Sequence, residues 1–188
     1  MKQKLLYPPG DFGIWLIVYI ELFTFMWLFI GYAFTRRSNL EMFNASQLLL
    51  DQRAGFINTL ILITSSFFVV KALELIKQEH AKKASKWVLF AIGLASLFLV
   101  IKLYEFADKS AQGIDLETNT FFMFYFLLTS FHFLHVLLGI VILFVLYNNT
   151  KKGVYSAKNH GGFESGAVYW HMVDLLWIVL FPLVYIIR

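Results

Sequence analysis

The chain has 188 residues, of which 59% are hydrophobic, 19% aromatic and 15% charged, against roughly 45–50% apolar and about 25% charged in an ordinary soluble domain. That balance excludes a water-soluble globule, and 21 phenylalanines exclude a disordered chain. Cysteine is absent, which removes disulfides, iron–sulfur clusters, thiolate ligation and cysteine nucleophiles together. The net charge of +4 comes from basic residues between apolar blocks, a topology signal and not a nucleic-acid footprint.

A membrane-crossing helix needs about 20 mostly apolar residues. Five stretches meet this, at about 13–34, 55–76, 87–106, 121–147 and 167–187. The sequence therefore predicts an all-α polytopic membrane protein with five transmembrane helices, the whole chain 1–188 forming one membrane domain, because isolated strands cannot satisfy their backbone in lipid. Lys2 and Lys4 precede an apolar block longer than the h-region of a secretory signal, so the first span is expected to be a permanent helix. Tyr7-Pro8-Pro9-Gly10 reads as a non-helical entry to it. The longest loop, about 35–54, is mildly amphipathic through Leu40, Met42, Phe43, Leu48, Leu49 and Leu50, and is expected to lie on the outer surface. One side collects nine cations (Lys2, Lys4, Lys77, Lys82, Lys83, Lys86, Lys151, Lys152 and Lys158) and the other five (Arg36, Arg37, Arg53, Lys109 and Arg188). The positive-inside rule then puts the N-terminus in the cytoplasm and the C-terminus outside, with the Arg36–Arg37 pair running against the trend.

Ionisable groups inside hydrocarbon are costly and need a reason. Here they are Glu21, Lys71 and Glu74, Lys102 and Glu105, His132 and His135, and His171 and Asp174. At about 1.5 Å of rise per residue, Glu21, Lys71, His135, His171 and Asp174 all fall in the half of the bilayer nearer the N-terminus. Similar depth predicts one shared polar network. His132, His135 and Gly139 share a helical face, as do Asn58, Ile61, Ser65 and Phe68. Lys71–Glu74 and Lys102–Glu105, each at i, i+3, read as local pairs near helix ends. The three intramembrane histidines read either as interhelical hydrogen-bonding groups or as haem ligands. Glu21 is isolated in its own span. No Walker loop, GxGxxG or GxSxG elbow is present, so no active site of the chain's own is expected. Two rival readings stay open: a small proton channel or transporter using Glu21 and Asp174, and a haem protein using His132, His135 and His171.

Ser130-Phe131-His132-Phe133-Leu134-His135, followed by Gly162-Phe163-Glu164, Tyr169-Trp170-His171-Met172-Val173-Asp174 and Trp177, resembles the cytochrome c oxidase subunit III family. Asn58-Thr59, Leu62 and Ser65 are similar to that family's Asn-Thr-x-x-Leu-x-x-Ser helix, Glu105 occupies the place of its acid in a Glu-Tyr or Glu-Phe pair, and Glu21 that of its carbodiimide-reactive glutamate. The chain departs from the usual seven helices by having five, and Ser130 and Phe133 replace two glycines of the His motif. It looks closer to the five-helix branch, which includes quinol-oxidase subunits and nitric oxide reductase accessory proteins, and within that branch it resembles the accessory type more, with an oxidase subunit left open. The resemblance implies a non-catalytic subunit in the bacterial cytoplasmic membrane. It implies no cofactor bound by this chain, haem and copper or iron in a subunit I-like catalytic partner, and an intramembrane assembly set of Glu21, Asn58, Glu105, His132, His135, Glu164, Trp170, His171 and Asp174. A structural lipid stays open, since the family's lipid cleft uses the two missing helices.

Overall fold

A computed structural model describes residues 8–188; Lys2, Lys4 and Tyr7 lie outside the described residues. The chain forms α1 (Phe12–Ser38), α2 (Leu40–Gln47), α3 (Gln52–Lys77), α4 (Ala81–Ala111), α5 (Thr120–Lys151) and α6 (Gly161–Phe181), closed by a π-helical turn at Pro182–Ile186. Five helices are long and apolar enough to cross a membrane, as expected.

Each long helix begins before its apolar block, and side-chain caps fix the starts of α1, α3 and α5. Asp11 starts α1 by accepting from Ile14 N, Asp51 starts α3 by accepting from Arg53 N and Ala54 N, and Asn119 starts α5 by accepting from Phe122 N; these side chains satisfy donors a helix start leaves free. Gly113 and Gly153 follow α4 and α5 with φ of 72° and 73°, the left-handed geometry that closes a helix C-terminus. After α3 the same role falls to Glu79 at φ 61°. Its carboxylate accepts from Ala157 N at 2.8 Å, tying this turn to the loop before α6. The last helix begins at Gly161, six residues before the expected 167, which brings Glu164 into its first turn.

Two layers of polar contacts close the ends of the bundle. At one end, Asp11 N donates to Ser165 Oγ at 3.1 Å and Lys77 pairs with Glu164 at 2.8 Å. At the other, Gln47 Nε2 donates to Val184 O at 2.8 Å, Gln52 Nε2 to Tyr185 O at 2.9 Å and Asn119 Nδ2 to Ser46 Oγ at 3.0 Å.

These contacts correct the expectation for the 35–54 loop. Instead of lying on the surface, α2 turns Phe43, Ser46 and Gln47 into the protein, while Leu40, Leu48 and Leu49 stay exposed. Aromatic packing decides this: Phe43 sits 5.3 Å from Tyr32 and 5.5 Å from Phe121, ring centre to ring centre. Edge-on pairs of this kind attract beyond the area they bury.

Small residues let the inner helices approach closely. Ala72, Ala84, Ala91 and Ala95 are fully buried between α3 and α4, and Ser65 Oγ donates to Ala91 O at 3.0 Å. By contrast α1 fully buries just Val18, Phe25 and Tyr32, three residues spaced seven apart along one side. Ile14, Trp15, Leu22, Leu28 and Phe29 are half-buried against the core, and the other apolar side chains of α1 face outward.

Candidate functional site

The intramembrane polar residues fall into separate groups, not the single network that equal depth suggested. Depth fixes height along the membrane normal but not direction around the helix, and direction decides the pairs.

The first group joins α1 to α5. His135 Nε2 lies 2.9 Å from Glu21 Oε2, and His135 Nδ1 lies 2.8 Å from Phe131 O. Both neighbours are acceptors when Glu21 is ionised. The pair therefore holds an imidazolium beside a carboxylate, or a neutral imidazole accepting from a carboxylic O–H. Glu21 keeps 26% of its side chain exposed, so it borders the lipid-facing surface. Phe25 and Phe131 wall the imidazole at 5.4 Å and 4.7 Å.

The second group joins α6 to α3. His171 Nδ1 lies 3.2 Å from Ser66 Oγ, and Trp177 Nε1 donates to Thr59 Oγ1 at 3.0 Å. An apolar groove of about 370 Å³ between α1 and α6 is lined by Trp15, Val18, Leu22, Met172 and His171, so this imidazole reaches an open face. Asp174 is buried on the same helix, with Oδ1 free of any hydrogen-bond partner among the described residues. Lys71 and Glu74 join neither group: they pair with each other at 2.8 Å and remain exposed, as the local reading predicts.

The third group was legible only in part. Lys102 and Glu105 were expected as a local pair near a helix end. Lys102 is instead fully buried and donates to Glu105 Oε2 at 3.1 Å, Tyr185 Oη at 2.9 Å and Tyr125 Oη at 3.4 Å. Glu105 Oε1 accepts from Tyr125 at 2.7 Å and from Tyr185 at 2.6 Å. All three ammonium protons and both carboxylate oxygens are thus used, which is the condition for a buried pair to persist. The ammonium also lies 4.8 Å from the Phe106 ring centre and 5.7 Å from that of Trp177, a cation–π environment. Tyr125 and Tyr185 carry no sequence signal beyond being hydroxyls in apolar runs. Their 60-residue separation in the chain hides their meeting.

The other expected residues serve packing and closure. His132 is fully buried with neither ring nitrogen hydrogen-bonded among the described residues, which corrects the expectation of an interhelical bond. Its ring lies 5.2 Å from Trp177 and 5.8 Å from Phe98, and these two rings meet edge-on at 4.9 Å. Asn58 is equally buried, its amide unpartnered among the described residues. Trp170 lies over Gly139, where a Cβ would come within 2.7 Å of the indole; that close approach is why the face of His132 and His135 continues in a glycine. Glu164 pairs with Lys77 and, at 3.4 Å, with His160, locking the start of α6 to the end of α3.

A five-span helical bundle whose buried polar side chains join helices to one another, with a tryptophan seated on a glycine of the His-x-x-His helix, defines a membrane protein of subunit III type. The family model "Cytochrome c oxidase subunit III" matches residues 10–188. A cytochrome c oxidase subunit 3 of Thermostichus vulcanus is 39% identical over 132 residues, 70% of this chain and 64% of that one. Another, from a Synechocystis strain, is 34% identical over 194 residues, 96% of this chain and 82% of that one. The heme-copper oxidase subunit I+III of Aeropyrum pernix is 26% identical over 184 residues, 93% of this chain and 22% of that one. The chain belongs to the cytochrome c oxidase subunit III family and is an integral membrane protein.

Proposed function

We propose that this chain is a non-catalytic membrane subunit of a respiratory haem-copper oxidase, which packs against a subunit I-like catalytic partner and stabilises it and its proton-uptake side. The observation that carries this is the family match across residues 10–188. The whole chain then acts as one subunit-III-like unit in the bacterial cytoplasmic membrane, with haem and copper or iron held by the partner. The printed name of the Aeropyrum relative joins subunits I and III in one protein, which supports direct contact between the two kinds of subunit. The excess of cations at the end that carries the N-terminus supports a cytoplasmic placement for that end. Glu21 and His135 then lie in the cytoplasmic half. Nucleic acid has no place in this reading.

The resemblance to the five-helix branch leaves a second reading, an accessory subunit of a nitric oxide reductase. Geometry speaks against the two rivals. His132 is closed between Phe98 and Trp177, and both ring nitrogens of His135 are engaged, which argues against an imidazole pair presented to a haem. Glu21 is hydrogen-bonded to His135, and no hydrogen bond joins it to Asp174 among the described residues.

The test is a mild-detergent pull-down of the tagged chain from its own membranes, with an absorbance spectrum and mass spectrometry of the eluate. A haem-bearing partner is expected, and its identity separates the oxidase from the nitric oxide reductase. A colourless chain eluting alone overturns the subunit reading.

A further inference from the structure

The Arg36–Arg37 pair ran against the charge asymmetry of the chain and is not explained by it. In the structure both arginines line a pocket of about 310 Å³ at the end of the bundle carrying α2, together with Tyr32, Leu40, Leu183 and Arg188. Three arginines therefore line one opening. None of the three takes part in an ion pair among the described residues.

Basic residues in a last helical turn often serve the free carbonyls there. Here that work is done by Asn39, whose backbone N–H donates to Arg36 O at 3.0 Å and whose Nδ2 donates to Thr35 O at 3.0 Å. Arg36 spends one donor, Nη2, on Asn44 Oδ1 at 3.2 Å. Its Nε is buried and unpartnered among the described residues, and so is the hydroxyl of Tyr32, a residue with 0% exposure. A buried donor left unpaired costs about 1–3 kcal/mol, so two such donors at one basic pocket point to an acceptor that comes from outside the chain.

We propose that this pocket binds a phosphate-bearing anion, with the headgroup of an anionic phospholipid as the source the surroundings favour. Guanidinium forks match phosphate oxygens, and Arg36 Nε and the Tyr32 hydroxyl stand buried and unpaired in the wall of the pocket. The pocket lies at the helix end, the height of a headgroup. Below it on α1, Trp27, Ile30 and Phe34 are exposed and offer an acyl chain a continuous apolar path. Arg188 and Leu183 come from the far end of the sequence, so an occupied pocket ties the end of α1 to the last turn of the bundle.

The test is native mass spectrometry of the purified full chain, titrated separately with phosphatidylglycerol, phosphatidylcholine and inorganic phosphate. One phosphatidylglycerol per chain is expected, with Arg36→Gln and Arg37→Gln each weakening it about tenfold, the loss of one charge-assisted contact. Lys151→Gln, which removes a charge at the opposite end, leaves binding unchanged. Tyr32→Phe keeps the ring packing and weakens binding severalfold, and thermal unfolding without lipid identifies any variant that has merely failed to fold. Competition by inorganic phosphate alone, with phosphatidylglycerol and phosphatidylcholine bound alike, would assign the site to free phosphate and not to lipid. Equal binding of both lipids by wild type and every arginine variant, with no phosphate effect, overturns the proposal. So does a pull-down in which the arginines are covered by a carboxylate of a partner protein.

Discussion

His135 Nε2 on α5 reaches Glu21 Oε2 on α1 across 2.9 Å, and this is the single side-chain hydrogen bond between those two helices among the described residues. It matters because α1 buries only a narrow stripe, so a polar contact in lipid contributes a large share of its fixed orientation. Glu21 is also the more accessible of two intramembrane carboxylates, with 26% of its side chain exposed against 5% for Glu105. A hydrophobic carbodiimide in native membranes is therefore expected to modify Glu21 and leave Glu105 unmodified. Peptide mass spectrometry reads the site, and equal modification of both would contradict the burial difference.

Replacing Glu21 separates hydrogen bonding from charge. Glu21→Gln keeps a bond to His135 and is expected to lower stability by less than about 1 kcal/mol, the usual scale for a hydrogen bond between membrane helices. Glu21→Leu removes it and costs more. Thermal unfolding in detergent gives the order, and a Gln variant as unstable as the Leu variant would show that ionic charge carries the contact.

The Lys102–Glu105 pair is expected to behave as a closed unit. Lys102→Met leaves Glu105 buried without its ammonium and should cost about 3–5 kcal/mol, the scale for breaking one half of a buried pair. Tyr185→Phe removes one donor and should cost about 1–3 kcal/mol. The double variant Lys102→Met with Glu105→Leu is expected to recover much of the loss, because no charge is then stranded. Strict additivity of the two substitutions would contradict the coupling. On these contacts Glu105→Gln should also destabilise the chain more than Asp174→Asn, since Glu105 accepts three hydrogen bonds while Oδ1 of Asp174 accepts none among the described residues. Depth alone gives the opposite order.

Gly139→Val puts branched carbon where the Trp170 indole lies, 2.7 Å from the position of a Cβ. Overpacking of this kind costs about 1–3 kcal/mol. The expected readout is a lower unfolding temperature with a shifted tryptophan emission, and Trp170→Leu in the same chain should relieve part of the loss. Unchanged fluorescence would place the strain elsewhere.

Orientation can be read directly because the chain has no cysteine of its own. Leu116 and Val154 are exposed at opposite ends of α5. With the N-terminus in the cytoplasm, Leu116→Cys reacts with an impermeant thiol reagent in intact cells and Val154→Cys reacts after the membrane is opened. The reverse pattern would invert the topology.

Much of the fold was legible in the residues. Apolar runs far longer than a soluble core requires marked all five long helices, and Asp11, Asp51 and Asn119 stand where caps must stand. The family motif named the residues that the structure places at helix contacts: His135 on Glu21, Trp170 on Gly139, Glu164 on Lys77. What misled was depth. Lys71 and His171 have similar heights by count, yet Lys71 pairs with Glu74 on its own helix while His171 reaches across to Ser66 on α3. Lys102 looked like a side chain that could reach water at a helix end. It is buried because Tyr125 and Tyr185 arrive from two other elements to receive it.

The sequence by itself determined that the chain is helical, that five of its helices are long and apolar enough to cross a membrane and which family it belongs to. These follow from hydropathy and from groups close together in the chain. Only the tertiary structure decided which polar side chains meet, that α2 folds inward on Phe43, and that Arg36, Arg37 and Arg188 open into one pocket. The reason is physical. Lipid tails are as apolar as a helix interface, so in a membrane protein an apolar residue does not announce which way it faces, and that direction is settled by packing alone.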